Sequence, residues 1–463
     1  MANLIAEQLT SDPRVRQARE LLAAALHDHQ ASITGIQPSD SARAEAYATL
    51  IAEFSRARGG GLYYPYLGSG IGHGALVELA DGSVKYDFIS GIGVHCLGHS
   101  DPRLLQSSIS AALTDTVMQG NLLQNTDATV VVALLLQLAK NAGSKIEHCF
   151  LSSSGAMANE NALKLMFQHK PGSTRMLAFE HCFCGRTMVL AQMTDKPQYR
   201  TGLPTTLAVD YVPFFNAKDP IGSTEAAVTT LRAHLARYPG RHSGMCLELI
   251  LGEGGYWVGD REFFLTLLRV LKEHQVAIWF DEVQTFGRTS RPFAFEHFGL
   301  GPWADVVTVG KLTQLCATLF IPELKPQPGL LSQTFTASSS AIAAACVILE
   351  IMRDGDLFGP DGRNMRVHRE ITSHFDAIAA RHPGLLCGPY GVGGMIAFTP
   401  LDGTEAKVKR VLAALFDAGV IAFYAGSQPA RIRFLPPVAV VTSHDIQTVC
   451  DILEQALLKC VGN

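Results

Sequence analysis

The sequence predicts an α/β fold in which a mostly parallel sheet is covered by helices on both faces. From about Asp101 onward, short apolar runs alternate with helical patterns, as they do in chains that build parallel sheets. The 463 residues are too many for one ordinary core and indicate at least two domains. A hydrophobic share of 47% beside a charged share of 17% excludes a disordered chain.

Helices are expected before this region. Ser11-Asp12-Pro13 is a helix start signal, and a second helix is expected from Ser39 to Arg58, ended by Gly59-Gly60-Gly61. The alternating residues of Leu76–Ile89 turn at Asp81-Gly82, which predicts a hairpin.

The expected strands of the sheet are short apolar runs with polar ends. A helix from Ser339 to Met352 follows them, and the remaining chain has the pattern of a second domain with its own strands at Gly394–Phe398 and Ala430–Phe434. The sheet strands are expected at His148–Ser152, Arg175–Phe179, Met245–Leu251, Val276–Phe280 and Val306–Gly310.

Charge and cysteine content exclude several classes of protein. Lys+Arg 38 against Asp+Glu 42 leaves a net charge of −4, so there is no basic excess for binding nucleic acid. Cys182/Cys184 and His95/His99 lack a second pair at zinc-site spacing, so we expect no metal site and reduced cysteines. The charged N-terminus is unlike a secretory signal, and Val130–Leu136 is too short to span a bilayer. We expect a cytoplasmic protein that does not bind membranes.

Polar residues follow three of the expected strands. Ser153-Ser154-Gly155-Ala156 opens a helix, Asp281-Glu282 follows a buried run, and Lys311 ends another. Taken singly, each has a plain structural interpretation as a helix cap or a solvated strand-end charge. Taken together, they offer an anion site, an acid and an amine at one sheet edge. Pyridoxal 5′-phosphate needs these three groups for its phosphate, its pyridinium nitrogen and its aldehyde.

At this point the sequence resembles a known family, the class III or ω-aminotransferases of fold-type I. The resemblance extends from about Gly74 to the C-terminus and depends on five motifs in the family's order. The motifs are Phe183-Cys184-Gly185-Arg186-Thr187, Gly252-Glu253-Gly254-Gly255, Asp281-Glu282-Val283-Gln284-Thr285 with Phe286-Gly287-Arg288-Thr289, Val309-Gly310-Lys311, and Ile432-Arg433-Phe434-Leu435-Pro436-Pro437.

The resemblance implies a domain plan and a set of site residues. A central cofactor domain would cover 81–345, and 1–80 with 346–463 would build a smaller α+β domain. The active sites would be shared in a homodimer. The implied roles are Lys311 on the cofactor aldehyde; Asp281 on the ring nitrogen; Ser154, Gly155, Ala156 and the neighbouring subunit's Thr334 on the phosphate; Phe183, Val283 and Gln284 around the ring; Arg186 on a substrate carboxylate; and Glu253 with Arg433 as a switch pair.

The chain also departs from the family pattern. Ala156 and Met157 replace a hydroxyl residue and a glutamate, and Cys184 replaces a common histidine. The altered phosphate loop and the Thr313-Gln314 pair after the lysine are similar to those of lysine 6-aminotransferases, which favours a diamino acid as donor. Glu253 and Arg433 resemble the switch pair that is found in the ornithine and 4-aminobutyrate aminotransferases.

The leading hypothesis is a pyridoxal-phosphate aminotransferase with a ping-pong mechanism. It would move an amino group, expected to be a terminal one, from an ω-amino acid, diamino acid or diamine to 2-oxoglutarate. A mutase, racemase or decarboxylase on the same scaffold stays open, as does a non-catalytic relative. A nucleotide-binding dehydrogenase is disfavoured, because its glycine-rich turn is imitated only at Gly68–Gly74, before any parallel strand.

Overall fold

The computed structural model describes residues 4–115, 117–118 and 120–461. In this part of the chain the strands form one seven-stranded sheet, two four-stranded sheets and two two-stranded pairs. In chain order the strands are β1 (Gly68–His73), β2 (Leu76–Leu79), β3 (Val84–Asp87), β4 (Val117–Met118), β5 (His148–Ser152), β6 (Arg175–Phe179), β7 (Ala208–Val212), β8 (His242–Leu247), β9 (Ile250–Leu251), β10 (Trp257–Val258), β11 (Ala277–Glu282), β12 (Val306–Val309), β13 (Cys316–Phe320), β14 (Ala337–Ser338), β15 (Leu386–Val392), β16 (Met395–Pro400), β17 (Val420–Ile421), β18 (Phe423–Ala425) and β19 (Arg431–Phe434).

The α-helices range from single turns between other elements to helices of 19 residues. In chain order they are α1 (Ile5–Ser11), α2 (Pro13–Gln30), α3 (Ala44–Arg58), α4 (Ser90–Gly93), α5 (Pro102–Ala111), α6 (Thr126–Asn141), α7 (Gly155–His169), α8 (Leu190–Met193), α9 (Pro220–Arg237), α10 (Gly252–Gly255), α11 (Arg261–Glu273), α12 (Ala294–His297), α13 (Ser339–Asp354), α14 (Arg363–Arg381), α15 (Glu405–Asp417) and α16 (Ser443–Val461). In the described part of the chain, no helix has the length and apolar character needed to cross a membrane.

The described chain divides into two compact units. The central unit takes its residues from 115–366 and 390–395. The terminal unit takes its described residues from 4–114, 367–389 and 396–461. The sequence-based domain boundaries at 80 and 345 stay a prediction.

The central unit is built on a mixed sheet with the strand order β5-β13-β12-β11-β8-β6-β7. β11 pairs in parallel with β12 and β8, and β6 pairs in parallel with β8 and β7. β13 is antiparallel to both β12 and β5. The six residues 310–315 that join β12 to β13 are too few for the crossover that a parallel pair needs. The α/β fold class expected from the sequence is confirmed.

This strand order places several strand ends at one edge of the sheet. β5 and β12 are both antiparallel to β13 and therefore run in the same direction, which is also that of β11 and β8. Ligands of open α/β sheets bind outside the carboxyl ends of the strands. The residues that follow β5, β8, β11 and β12 therefore belong to one candidate site.

The terminal unit has two four-stranded sheets, in the orders β1-β2-β3-β17 and β15-β16-β19-β18. The predicted hairpin is present, with Leu76 opposite Tyr86 across β2 and β3. Phe375 and Phe398 pack edge to face with centroids 4.9 Å apart inside a buried cluster that also holds Phe434. The largely antiparallel sheets with their helices give this unit an α+β character.

Some boundaries differ from those expected. Residues 4–60 hold three helices instead of two, and α3 begins at Ala44 instead of Ser39. Asp40 is the reason for the late start, because its carboxylate accepts the N–H of Ala42 and holds a turn before the helix. The expected end is confirmed, since Gly59 adopts a left-handed φ of 77° as the C-cap.

Two strands of the sheet also differ from the prediction. Met245–Leu251 is not one strand, because β8 ends at Leu247 and β9 begins at Ile250. β11 continues through Asp281 and Glu282, which were expected to follow the strand. The expected strands β5 and β6 have the predicted bounds.

Candidate active site

The N-terminus of α7 is held close to the end of β11. The Ser154 hydroxyl caps the helix by accepting the N–H of Met157 at 3.2 Å. A Cβ on Gly155 would lie 2.7 Å from Cγ1 of Val283, so only glycine allows this approach. The first N–H groups of a helix have no acceptor within the helix, which leaves those of Gly155 and Ala156 suited to a phosphate.

Asp281 lies at the centre of this edge and is buried. Its carboxylate accepts the Val283 N–H at 3.0 Å and the Asn159 side-chain amide at 2.8 Å, and Thr308 Oγ1 is 3.5 Å away. Burial raises the pKa of Asp281, while these hydrogen bonds and the charge of Lys311 oppose the rise. A cation placed against this carboxylate would favour its ionised form.

Asn159 received no role in the interpretation of the sequence. It lies on α7 and donates to Cys184 O at 2.7 Å as well as to Asp281, so it joins the phosphate-side helix to the acid and to the Phe183 loop. The asparagine four residues after the glycine is the sequence signal that could have indicated it.

Lys311 follows β12 at the same edge of the sheet. Its φ of 51° lies in the left-handed region, which is uncommon for a residue with a side chain. Gly310 before it is closely packed, since a Cβ there would lie 2.7 Å from Sγ of Cys316. The backbone conformation of Lys311 is therefore fixed by its surroundings.

Gln284 provides a direct test of whether a cofactor fits. Its Oε1 is buried, and among the described residues it has no hydrogen-bond partner. Such an orphaned polar atom is costly unless a ligand satisfies it. Together with the acid, the lysine and the glycine cradle at Gly155, it fits pyridoxal phosphate.

Glu248 was missed by the sequence reasoning. It follows β8, is buried, and accepts the N–H groups of Phe183 at 2.8 Å and Gly252 at 3.3 Å. Burial, assisted by the negative charge of Asp281, raises the pKa of Glu248 to about 8. A carboxyl inside the apolar run 245–251 was the available signal.

Glu282, the neighbour of Asp281, holds the local structure together through hydrogen bonds. Its carboxylate accepts the N–H groups of Ala294 and Phe295 at 3.0 and 2.8 Å and also the hydroxyl of Thr285. Burial raises the pKa of Glu282 to about 7. The two neighbouring acids therefore face different surroundings.

The central unit holds two of the expected substrate residues, Arg186 and Glu253. Arg186 is exposed, and its Cζ is 4.1 Å from the ring centroid of Tyr199 and 6.0 Å from that of Phe183. Glu253 on α10 lies 3.6 Å from Nζ of Lys196. Lys196 and Tyr199 were not singled out from the sequence.

Arg433 and Thr334 are the two remaining predicted site residues. Arg433 is on β19 of the terminal unit, buried, with its Cζ 5.6 Å from the Phe423 ring centroid. Thr334 lies in an exposed segment before β14, and its expected contact is with the cofactor of a neighbouring subunit.

Cys184, Cys246 and Asp281 have atoms within 4.8 Å of one another, a spacing that a metal ion could use. Burial raises the pKa of the Cys246 thiol to about 12, which disfavours the thiolate that metal binding needs. Asp281 already accepts two close hydrogen bonds. The protonated thiol and the occupied carboxylate are therefore poor metal ligands.

A sheet edge that carries a helix N-terminus, a buried acid and a lysine matches what pyridoxal phosphate needs and indicates a pyridoxal-phosphate enzyme. The sequence model of the aminotransferase class-III family matches residues 70–457, and the chain belongs to that family. It is therefore a pyridoxal-phosphate-dependent aminotransferase of fold-type I, as the sequence resemblance implied.

Named relatives agree with this family. Acetylornithine aminotransferase of Bacillus subtilis is 30% identical over 397 residues, covering 83% of this chain and 93% of the relative. The protein of the same name from Prochlorococcus marinus is 28% identical over 387 residues, covering 80% and 86%.

Solved structures share the fold. Lysine aminotransferase from M. tuberculosis has a TM-score of 0.76 at 23% identity, covering 84% of this chain and 93% of that one. Ornithine aminotransferase from Toxoplasma gondii has a TM-score of 0.71 at 21% identity, covering 86% and 91%.

Proposed function

We propose that the enzyme transfers a terminal amino group from an ω-amino or diamino acid to 2-oxoglutarate by a ping-pong mechanism. The observation that carries the proposal is a set of charged side chains in the central unit: Arg186 Cζ is 6.0 Å from the Phe183 ring centroid, and the acid Glu253 on α10 lies 3.6 Å from Nζ of Lys196. The relatives named for acetylornithine, a derivative of a diamino acid, support a donor of this class.

The cofactor, when bound, supplies an electron sink for the bond electrons left by the donor's proton. Asp281 would hold the proton on the ring nitrogen, with its own orientation fixed by Asn159 and Val283. Nζ of Lys311 would take the proton from the donor carbon and return one as general acid–base. Ser154, Gly155 and Ala156 would bind the phosphate.

Substrate recognition would depend on charge. Arg186 has the planar fork that binds a carboxylate through two hydrogen bonds. Glu253 would face an amine-bearing end of the donor. The predicted switch, in which Arg433 pairs with Glu253 and then binds a second carboxylate, stays a proposal.

A homodimer completes the proposal. Phe335, next to Thr334, is 66% exposed, and Leu122 of the same unit is 87% exposed. Large apolar side chains in this position suit an interface between copies of the chain. The cytoplasmic location expected from the sequence stays a prediction.

The test is a pair of half-reactions with the cofactor-loaded enzyme. Acetylornithine, ornithine, lysine and 4-aminobutyrate are each added without acceptor, and the cofactor absorbance is followed. We expect at least one donor to convert the cofactor to its aminated form and 2-oxoglutarate to reverse the change. If every donor leaves the spectrum unchanged, the proposed donor class is wrong. If the aminated form is reversed by other keto acids and not by 2-oxoglutarate, the proposed acceptor is wrong.

A further inference from the structure

The guanidinium of Arg186 lies over the ring of Tyr199. Its Cζ is 4.1 Å from the centroid of that ring, a distance at which a cation and the face of an aromatic ring attract each other. A guanidinium that lies over a ring uses its face for this contact, while its N–H groups point outward in its plane and can still bind a carboxylate. The contact therefore orients Arg186 without occupying the hydrogen bonds that a substrate needs.

The ring of Tyr199 also contacts the aromatic residue expected to stack on the cofactor. It meets the ring of Phe183 edge-on, with the centroids 6.3 Å apart and the planes at 89°. Arg186 Cζ is itself 6.0 Å from the Phe183 centroid. The position of the guanidinium is thus defined relative to Phe183.

The backbone on both sides of Arg186 is fixed by hydrogen bonds. Before it, the Gly185 N–H donates to Thr194 Oγ1 at 3.2 Å, and the Thr194 hydroxyl donates to Gly185 O at 2.9 Å. After it, the Thr187 hydroxyl donates to the Glu160 carboxylate. The side chain of Arg186 is exposed. A long exposed side chain loses rotamer freedom when it binds a ligand, so a contact that holds it beforehand favours binding.

The segment that carries Tyr199 is tied to the same loop. Tyr199 ends the short 3₁₀-helix Pro197–Tyr199. The next residue, Arg200, donates from Nη1 to Thr194 O at 2.7 Å, and the side chain of Thr194 bonds to Gly185. The ring and the guanidinium therefore belong to two segments that are held together by Thr194.

We propose that Tyr199 is a positioning residue for Arg186 and makes the enzyme select substrates that carry a carboxylate. The ring holds the guanidinium ready to bind the carboxylate of an ω-amino acid or diamino acid. A diamine has no carboxylate and gains nothing from this contact. The inference rests on the proposed function, in which Arg186 binds the substrate carboxylate, and adds a specificity-determining residue to it.

The test compares the binding of two unreactive ligands to the cofactor-loaded enzyme by calorimetry. Pentanoate carries a carboxylate, and pentanamide has the same chain without the charge. We expect the wild type to prefer pentanoate and Tyr199→Leu to reduce this preference about 2- to 30-fold, the range for the loss of one cation–π contact. Tyr199→Phe keeps the ring and should keep the preference. Tyr199→Gln serves in the same way if Tyr199→Leu does not fold.

The matched control is Tyr238→Leu. Arg175 Cζ lies 3.8 Å from the Tyr238 centroid, so this variant removes the same kind of contact at the start of β6, whereas Phe183 follows the end of that strand. It should leave the preference for pentanoate unchanged. Arg186→Gln should remove the preference, and Tyr199→Leu should have no further effect in that background.

Several outcomes would overturn the proposal. One is an unchanged preference in Tyr199→Leu, and another is a wild type that binds both ligands equally. A further effect of Tyr199→Leu in the Arg186→Gln background would mean that the ring acts through another cation, such as Lys196, whose Nζ is 5.6 Å from the ring centroid. A loss in Tyr199→Phe as large as in Tyr199→Leu would mean that the hydroxyl is responsible and not the ring.

The half-reactions distinguish this inference from the proposed function. Amino transfer from an ω-amino acid by the wild type, together with a pentanoate preference that does not depend on Tyr199, would overturn the role of Tyr199 alone. A preference that depends on both Tyr199 and Arg186, without transfer from any donor, would overturn the proposed function and leave Tyr199 as the positioning residue of a carboxylate site.

Discussion

At the scale of single residues, the acid of the site depends on Asn159. The Asn159 amide donates to Asp281 from α7, and its loss would remove a hydrogen bond that lowers the pKa of the carboxyl. A hydrogen bond to a charged group contributes about 1.5–3 kcal/mol. We expect Asn159→Ala to slow the donor half-reaction about 10- to 100-fold, measured by stopped-flow absorbance at saturating donor.

The matched control for this variant is Asn161→Ala on the same helix. Asn161 is also buried, but its amide donates to Ser152 Oγ at 3.1 Å and not to Asp281. Asn161→Ala should lower the free energy of unfolding and should slow the donor half-reaction less than Asn159→Ala does. Equal rates for Asn159→Ala and wild type would show that Asp281 needs no support from α7.

Glu248 and Glu282 should make stability depend on pH. Burial raises the pKa of Glu248 from 4.5 to about 8 and that of Glu282 from 4.5 to about 7. For each glutamate, at a pH between 4.5 and its raised pKa, the folded state holds a proton that the unfolded state has released. The free energy of unfolding therefore falls as pH rises, by about 1.4 kcal/mol per pH unit for each such proton.

The expected measurement is thermal unfolding of wild type and Glu248→Gln across pH 5 to 9. The contribution of Glu248 is full below its unfolded pKa and is lost as pH rises toward about 8. Glu248→Gln should abolish the decline between pH 7 and 8 and leave the part due to Glu282 below about 7. An unchanged decline above pH 7 would mean that Glu248 is ionised in the folded protein.

The sequence was informative about Asp281 and Lys311 for a definable reason. Both are charged residues at the ends of apolar runs, and the position of such a residue can be read directly from the sequence. The spacing of Asn159 and the position of Glu248 in an apolar run could have drawn attention to them, but the groups that they meet across the fold are not visible in the sequence. The same holds for Lys196, whose partner Glu253 is far away in sequence.

At the scale of elements, the approach of α7 to β11 depends on Gly155. A methyl group there would lie 2.7 Å from Cγ1 of Val283 and would push the helix N-terminus away. Overpacking of this kind costs about 1–3 kcal/mol. We expect Gly155→Ala to lower the melting temperature and to weaken pyridoxal-phosphate binding, measured by titration of the cofactor-free enzyme.

A second substitution tests the cause. Val283→Ala removes the Cγ1 that the new methyl would meet, so it should restore part of the stability that Gly155→Ala loses. Gly60→Ala is the control, because a Cβ there has open space around it. If the losses from Gly155→Ala and Val283→Ala simply add, the two residues do not clash and the packing argument is wrong.

The bounds of a strand were predictable where its apolar run and its backbone hydrogen bonding end at the same residue. β5 and β6 are short apolar runs with polar ends, and their bounds matched. In 245–251 the apolar residues continue while the strand stops, because the Glu248 carboxylate binds the N–H groups of Phe183 and Gly252 at the break. Side-chain hydrogen bonds of this kind leave no mark on hydrophobic periodicity.

At the scale of the whole molecule, the chain pattern by itself indicated two domains, and the family resemblance implied that both ends of the chain belong to one of them. The terminal unit gathers Phe88, Phe375 and Phe434 into one hydrophobic cluster from three separate stretches of sequence. Burial of apolar residues is non-directional, so a pattern shows that a residue is buried without showing against what. The fold class was predictable because the alternation of apolar runs and helical patterns does not depend on which residues pack together.

The proposed dimer makes a prediction about shared sites. If Thr334 binds the phosphate of the neighbouring subunit, Thr334→Asp places a negative charge against that phosphate and weakens cofactor binding in the homodimer. Mixing this chain with a Lys311→Ala chain creates one site with an intact Lys311 and an intact Thr334. We expect that site to bind pyridoxal phosphate with wild-type affinity, because its threonine comes from the other chain.

The two chains carry different tags, and the mixed dimer is purified by both. It is treated with limiting pyridoxal phosphate, reduced with borohydride and digested, and the adduct on Lys311 of the Thr334→Asp chain is measured by mass spectrometry. Labelling equal to that of the wild type supports a threonine supplied in trans. Labelling as weak as in the Thr334→Asp homodimer would place the threonine in its own subunit's site. Ser332→Asp, at another exposed position of the same segment, controls for the added charge and should label normally.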